Sequence, residues 1–365
     1  MRISGGRLRS VRGSLRAPLE SSKGRWHERA GLLLELDDGE GRVGQGEASP
    51  LPGYSPDTFE QCRGALEVAL ATGLGPFDLA LPLGDQIALA LAPQGSMPSA
   101  ARFALETALL DLAGQRLDRS LVSLLRPTEL GPPREIPLAA GLSGTSIESA
   151  LADGEAAVAR GIRTLKVKIG RPGAFGQEVA LLEALRRRFG HGVLLRLDAN
   201  GAFSRAEAPE RLRRLACLRP EFVEEPIAGA GLEALRGSPV RLAADESLQQ
   251  PGAFERLIPS LRAGVTSAIV LKPAALGGLF ACLALAARAR SLGAACVVGH
   301  CWDGPVGLAA AGALALALGD GAMACGLDRH AGLSIWPEVP LPLFGPASIQ
   351  TGSSPGLGIQ RRVLP

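Results

Sequence analysis

Six ionisable residues sit in apolar runs where an unsatisfied charge is costly: Lys166 and Lys168 in TLKVKIG, Asp198 in LLRLDAN, Glu224 in FVEEP, Asp245 in RLAADE and Lys272 in AIVLKP. The lysines stand out because the chain has only four, Lys23 being the other, against 35 arginines. Arginine keeps its proton in a protein, whereas a desolvated lysine crowded by other cations can lose one near neutral pH. A lysine is therefore the cationic residue that can act as a base. Carboxylates from three neighbouring strands suit a hard, oxygen-loving cation such as Mg²⁺, with Mn²⁺ as the alternative, and no cysteine or histidine cluster competes for a softer metal. The chemistry expected is metal binding of a substrate carboxylate, with a lysine removing the adjacent proton to give an enediolate. A structural reading as buried ion pairs would suit one such pair better than six residues.

The surrounding elements explain how these side chains could meet. Alternate side chains of a strand share a face, so Leu165, Val167 and Ile169 are expected to face helices while Lys166 and Lys168 point inward. In LLRLDAN the same parity turns Arg196, Asp198 and Asn200 inward. Eight candidate strands, IPLAAGL, TLKVKI, LLRLDAN, FVEEP, RLAADE, AIVLKP, ACVVGH and AMACGLD, alternate with alanine- and leucine-rich helical stretches. That pattern predicts a parallel β/α barrel with the six residues at the C-terminal strand ends, where such barrels build active sites. An open doubly wound sheet would show a glycine-rich phosphate turn after its first strand, and LSGTS is a poor one. Upstream, AGLLLELDD and GRVGQGEA flank a turn at Gly39 to Gly41 and read as antiparallel strands. Residues 65–73 and 99–117 read as helices, and LRPTELGPPREIP as a linker.

As an ordered set, these residues resemble the enolase superfamily, in particular its muconate-lactonizing subgroup. The resemblance implies an α/β fold, a (β/α)7β modified TIM barrel (residues 131–328) with an N-terminal α+β capping domain (residues 1–130, completed by 329–365). It implies Mg²⁺ on Asp198, Glu224 and Asp245, Lys168 as the base, Lys272 stabilising the enediolate from the opposite face, and Lys166 supporting the substrate carboxylate. Asn200 would orient the metal shell. The loop GEASPLPGYSPDTFEQ, Arg196 and the run GLD resemble the branch that dehydrates 2-succinyl-6-hydroxy-2,4-cyclohexadiene-1-carboxylate to o-succinylbenzoate in menaquinone biosynthesis. In that reading Lys168 also protonates the departing hydroxyl.

Tyr54, the only tyrosine, could close over substrate or pack its prolyl turn. Glu225 has outward parity and reads as a structural partner. Gly277 and Gly278 could bind an anion at a helix start or simply turn the chain. The run VVGHCWDGPVG departs from the subgroup, making Gly299 and His300 substrate-side candidates; His300 resembles the histidine base of the mandelate racemase class, but that resemblance implies an aspartate where this chain has Lys272. The alternatives are N-acylamino acid racemase, dipeptide epimerase and muconate cycloisomerase. From other classes come a non-catalytic binding barrel and a Schiff-base aldolase, neither of which accounts for the carboxylate trio.

Composition excludes other classes. The 46% hydrophobic and 21% charged content over 365 residues is that of a globular chain with a large core. A net charge of +3 with scattered basic residues does not imply nucleic acid. The longest apolar run, VGLAAAGALALALG, falls short of a membrane span, and MRISGGRLRSVRGSLR lacks the apolar core of a secretory signal, so a cytoplasmic protein is expected. The cysteines, at 62, 217, 282, 296, 301 and 325, form no CxxC pair and read as buried fillers. The expected partner is a small-molecule carboxylate; the oligomeric state is not readable.

Overall fold

The computed structural model describes residues 1–21, 24–79, 81–126, 131, 135–319 and 323–359. Most of the expected linker lies outside the described residues.

The chain opens with three antiparallel strands, β1 (Gly5–Ser21), β2 (Gly24–Asp37) and β3 (Val43–Ala48), in that spatial order. The arginine-rich start is thus an edge strand, in register with β2 from Gly5↔Asp37 to Ser14↔Glu28 and, past an irregularity, from Leu19↔Trp26. Helices α1 (Phe59–Thr72), α2 (Leu83–Leu91), α3 (Ser99–Leu117) and α4 (Leu121–Leu125) follow. Thr58 and Gln61 form a capping box that starts α1. Glycine lets α3 lie directly on β3: a Cβ on Gly44 or Gly46 would collide with the Ala108 or Ala104 carbonyl. Leu32, Leu33, Leu34 and Leu36 are all buried, so the middle of β2, the central strand of its sheet, is covered on both faces.

The second layer is the barrel. After β4 (Ile136–Pro137) come β5 (Ala139–Leu142), α5 (Ile147–Ala159), β6 (Thr164–Lys168), α6 (Phe175–Phe189), β7 (Leu194–Asp198), α7 (Ala208–Ala216), β8 (Phe222–Glu224) and β9 (Leu242–Ala244). Then come α8 (Ala253–Arg262), β10 (Thr266–Leu271), α9 (Pro273–Leu276), α10 (Leu279–Ser291), β11 (Ala295–Val298) and α11 (Pro305–Leu318). Strands β5 to β11 form one parallel sheet in chain order. Single parallel bridges, Leu138↔Cys325 and Gly299↔Gly326, close the ring through the eighth candidate strand. This is the (β/α)7β barrel with its antiparallel cap. The apolar run of α11 is entirely buried, and among the described residues no helix is long and apolar enough to cross a membrane.

The C-terminal segment returns to both layers. Strand β12 (Ser348–Ile349) pairs with β4, the Gly356 carbonyl accepts from Leu121 N at 2.8 Å, and Trp336 packs against Gly31 of β2. Two cap carboxylates also serve as helix caps for the barrel. Glu47 accepts from the backbone N–H of Gly304 and from Gly307 N (3.0 Å) at the start of α11. Glu106 of α3 accepts from Phe280 N (2.8 Å) at the start of α10. The group that caps the Gly277–Gly278 turn is therefore the protein's own carboxyl, and a Cβ on Gly278, at φ +120°, would strike it. The cysteines are all free; five are buried as expected, but Cys217 is exposed, just past the last turn of the strongly charged α7.

Candidate active site

Parallel register builds the site layer by layer. Lys168 pairs with Asp198 and Asp198 with Glu224 across β6, β7 and β8, so these three end their strands side by side; Lys166 and Arg196 form the layer beneath. Asp245 and Lys272 follow the last residues of β9 and β10. The Lys166 ammonium donates to Asp198 Oδ2 (2.8 Å) and Glu224 Oε2 (2.7 Å). The Lys272 ammonium donates to Asp245 and to the Tyr54 hydroxyl, which itself donates to Asp245 Oδ2 (3.1 Å). The structure thus brings the Tyr54 hydroxyl, from its loop, onto Asp245 and Lys272. The Lys168 Nζ stands 4.5 Å from the centroid of the Trp302 ring.

Burial and charge then separate the lysines. For Lys168, burial dominates and brings the pKa down to about 8, with Asp198 opposing and Lys166 adding to the depression. Burial also penalises the Lys272 ammonium, but Asp245 and Glu246 outweigh it and raise the pKa well above the ordinary value. Lys166 is raised in the same way, burial being overcome by Asp198 and Glu224. Burial and the adjacent Asp198 push Glu224 well up.

The carboxylates fit a divalent cation by donor type: three hard oxygen donors, each 2% exposed, mutually crowded and projecting from adjacent strand ends. Among the described residues no three His, Cys, Asp or Glu side chains converge closely enough to form a metal cage as they stand; the Lys166 ammonium bridges Asp198 and Glu224, and the Lys272 ammonium pairs with Asp245.

The supporting residues divide. Asn200 donates through Nδ2 to Glu246 Oε1 (2.9 Å), and its backbone N–H reaches Asp198 Oδ1 (3.0 Å), which orients that carboxylate. Glu225 accepts from Asp245 N (2.9 Å) and Ser247 Oγ (3.0 Å), the structural role its parity suggested. Gly299 leaves room for the stem of Lys272, which a Cβ there would touch at 3.6 Å. His300 accepts from Trp302 N (2.9 Å) and stacks on His330 at 4.2 Å between centroids. Burial, then His330, lower its pKa well below the ordinary value, and its ring stands 6.3 Å from that of Trp302. Arg196 is not brought to the mouth: it is paired to Glu221 (2.6 Å) and the Ala324 carbonyl (2.5 Å), and its guanidinium lies over Phe222. Asp328 is taken by Arg160 through both oxygens.

Sequence reasoning missed Glu246, whose parity places it outside the barrel. The chain leaves β9 directly into a 3-10 turn (Glu246–Gln249), which swings it onto the mouth, where burial and Asp245 raise its pKa to about 7. Asn200, Glu225 and Trp302 hold left-handed backbone at φ 43°, 40° and 54°, strain gathered at the strand ends.

Residues 150–362 match the family described as Enolase C-terminal domain-like. The chain belongs to the enolase superfamily. Among relatives of this superfamily chain, an o-succinylbenzoate synthase of Desulfotalea psychrophila is 34% identical over 72% of this chain and 76% of its own length. An N-succinylamino acid racemase of Thermus thermophilus is 34% identical over 85% and 81%, respectively. A dipeptide epimerase from Methylococcus capsulatus, solved with Mg and the dipeptide L-Arg-D-Lys, superposes with a TM-score of 0.85 at 26% identity, covering 98% of this chain and 99% of the other. An enzyme of the lyase or isomerase type is the common ground of these relatives.

Proposed function

We propose that the protein is an Mg²⁺-dependent dehydratase that forms o-succinylbenzoate from 2-succinyl-6-hydroxy-2,4-cyclohexadiene-1-carboxylate. The reading rests on the asymmetry of the two facing lysines. Lys168 lies beneath an indole with a depressed pKa, whereas Lys272 is tied to Tyr54 and Asp245. Dehydration needs one base and one fixed cation; racemisation needs two groups that exchange those roles.

Asp198, Glu224 and Asp245 would hold the cation, which supplies electrostatic stabilisation for charge gathering on the substrate carboxylate. Lys168 Nζ takes the proton alpha to that carboxylate, and the electron pair is delocalised as an enediolate. The Lys272 ammonium, on a strand across the ring, offsets that charge from the other face. Return of the electrons expels the hydroxyl, to which the Lys168 ammonium gives its proton, so that water leaves and the ring becomes aromatic. Trp302, Tyr54, Leu51 and Cys301 cluster with Trp26 as an apolar wall suited to a carbocyclic substrate.

A second reading, N-acylamino acid racemisation, is supported by the placement of Lys168 and Lys272 on strands far apart in the ring and by the Thermus relative. A dipeptide epimerase reading is weaker, since the acid available for a substrate ammonium, Asp328, is engaged by Arg160. The test is formation of o-succinylbenzoate by the purified protein, with EDTA and after Mg²⁺ is restored. Mg²⁺-dependent turnover supports the proposal. No turnover, with solvent deuterium entering both enantiomers of an N-succinylamino acid, replaces it by the racemase.

A further inference from the structure

Arg29 lies in β2 of the cap and is 4% exposed, yet its guanidinium reaches four main-chain carbonyls on two separate loops. Nη1 donates to Pro50 O at 2.9 Å; Nη2 donates to Ser49 O at 2.7 Å, Cys301 O at 3.1 Å and Trp302 O at 3.0 Å. The first two acceptors begin the cap loop that leads to Tyr54. The other two lie in the turn that follows β11. Each loop delivers one ring to one lysine: Tyr54 bonds Lys272, and Trp302 covers Lys168. The rings also meet each other edge-on, 6.0 Å apart.

Two features say that this junction is held rather than merely filled. Trp302 has left-handed backbone, which a bulky residue keeps only when its surroundings impose it. A buried guanidinium also needs its charge answered, and Asp303 and Glu47, both buried, lie close enough to offset part of the cost of burying it. The guanidinium spreads its donors over separate nitrogens in one rigid plane, which lets it reach all four carbonyls of the two loops; an ammonium has three donors on a single atom.

We infer that Arg29 is a positioning residue, whose guanidinium staples the Tyr54 loop to the Trp302 turn and thereby sets the cover over Lys168. It touches no reacting atom, and its role holds for any reaction in which Lys168 moves a proton, so it stands apart from the substrate proposed above.

The test needs no substrate. The full chain is acylated with N-hydroxysulfosuccinimidyl acetate, and the rate at each lysine is read by peptide mass spectrometry. In Arg29→Gln, Lys168 is expected to react about tenfold faster as the cover opens, while Lys166, held by Asp198 and Glu224, keeps its wild-type rate. Methylguanidinium added to Arg29→Ala should return the Lys168 rate toward wild type, a rescue that general destabilisation would not show. Should Arg29→Gln fail to fold, Arg29→Lys carries the test, with an expected increase of about threefold. An unchanged Lys168 rate in a folded variant, or equal acceleration at Lys166 and Lys168, overturns the inference.

Discussion

Replacing Lys168 by arginine would remove the proposed base while keeping charge and volume near wild type. At pH 7 an amine of pKa about 8 is neutral in about one molecule in ten. A guanidinium with a pKa above about 12 is neutral in fewer than about one in 10⁵. The ratio alone predicts a loss of about 10⁴-fold in kcat/KM, or ~5.5 kcal/mol in the barrier to proton abstraction. The fold should survive, because the face of Trp302 that receives the Lys168 ammonium also receives a guanidinium. The assay is o-succinylbenzoate formation with saturating Mg²⁺, beside circular dichroism of the variant. The wild-type profile should rise with pH and level off above about 8, since the neutral amine is the active form. Turnover by Lys168→Arg within tenfold of wild type, or a wild-type profile that falls between pH 6 and 8, would refute the assignment of the base.

Lys272→Arg keeps the fixed cation and should spare dehydration while lowering any racemisation by at least about 10²-fold; equal losses in both reactions would contradict one-base chemistry. Asp245→Asn removes one anionic donor and should weaken Mg²⁺ binding about tenfold or more by calorimetry, so unchanged affinity takes it out of the shell. Glu106 is raised to about 7 in the folded chain, by burial above all, against about 4.5 unfolded. Its contribution is therefore present below about pH 4.5 and lost as pH rises through about 7. Glu106→Gln should remove ~3 kcal/mol of pH-dependent stability change across this window, and a difference in Tm between wild type and variant that is flat across it would exclude the assignment.

The barrel and the six charged residues could be read from the sequence because strand parity is a local property, and parallel register then aligns Lys168, Asp198 and Glu224 without further information. What lay beyond sequence reasoning depends on where the chain stops being regular. Glu246 follows the parity rule on paper and breaks it in space, because β9 gives way at once to a 3-10 turn. Arg196 fails in the opposite sense: its parity is inward as expected, but Glu221 and the Ala324 carbonyl claim it below the site. Arg29 and Glu106 act on partners from distant parts of the chain, and neither stands in a motif. The Gly277–Gly278 turn does suggest an anion, but only the packing of α3 identifies it as Glu106.

The placement of the tryptophans gives this protein an optical property of its own. The chain has three, and all lie along the seam between cap and barrel: Trp26 is 6.2 Å from Trp302, while Trp336 packs between Gly31 of the cap and Gly304 of the barrel. The α/β core that dominates far-ultraviolet circular dichroism holds no other indole. Emission therefore reports on the mouth, and circular dichroism on the rest. Parting of cap from barrel would show as a fluorescence midpoint at lower denaturant than the dichroism midpoint, and ligand entry as a change in emission with no change in secondary structure.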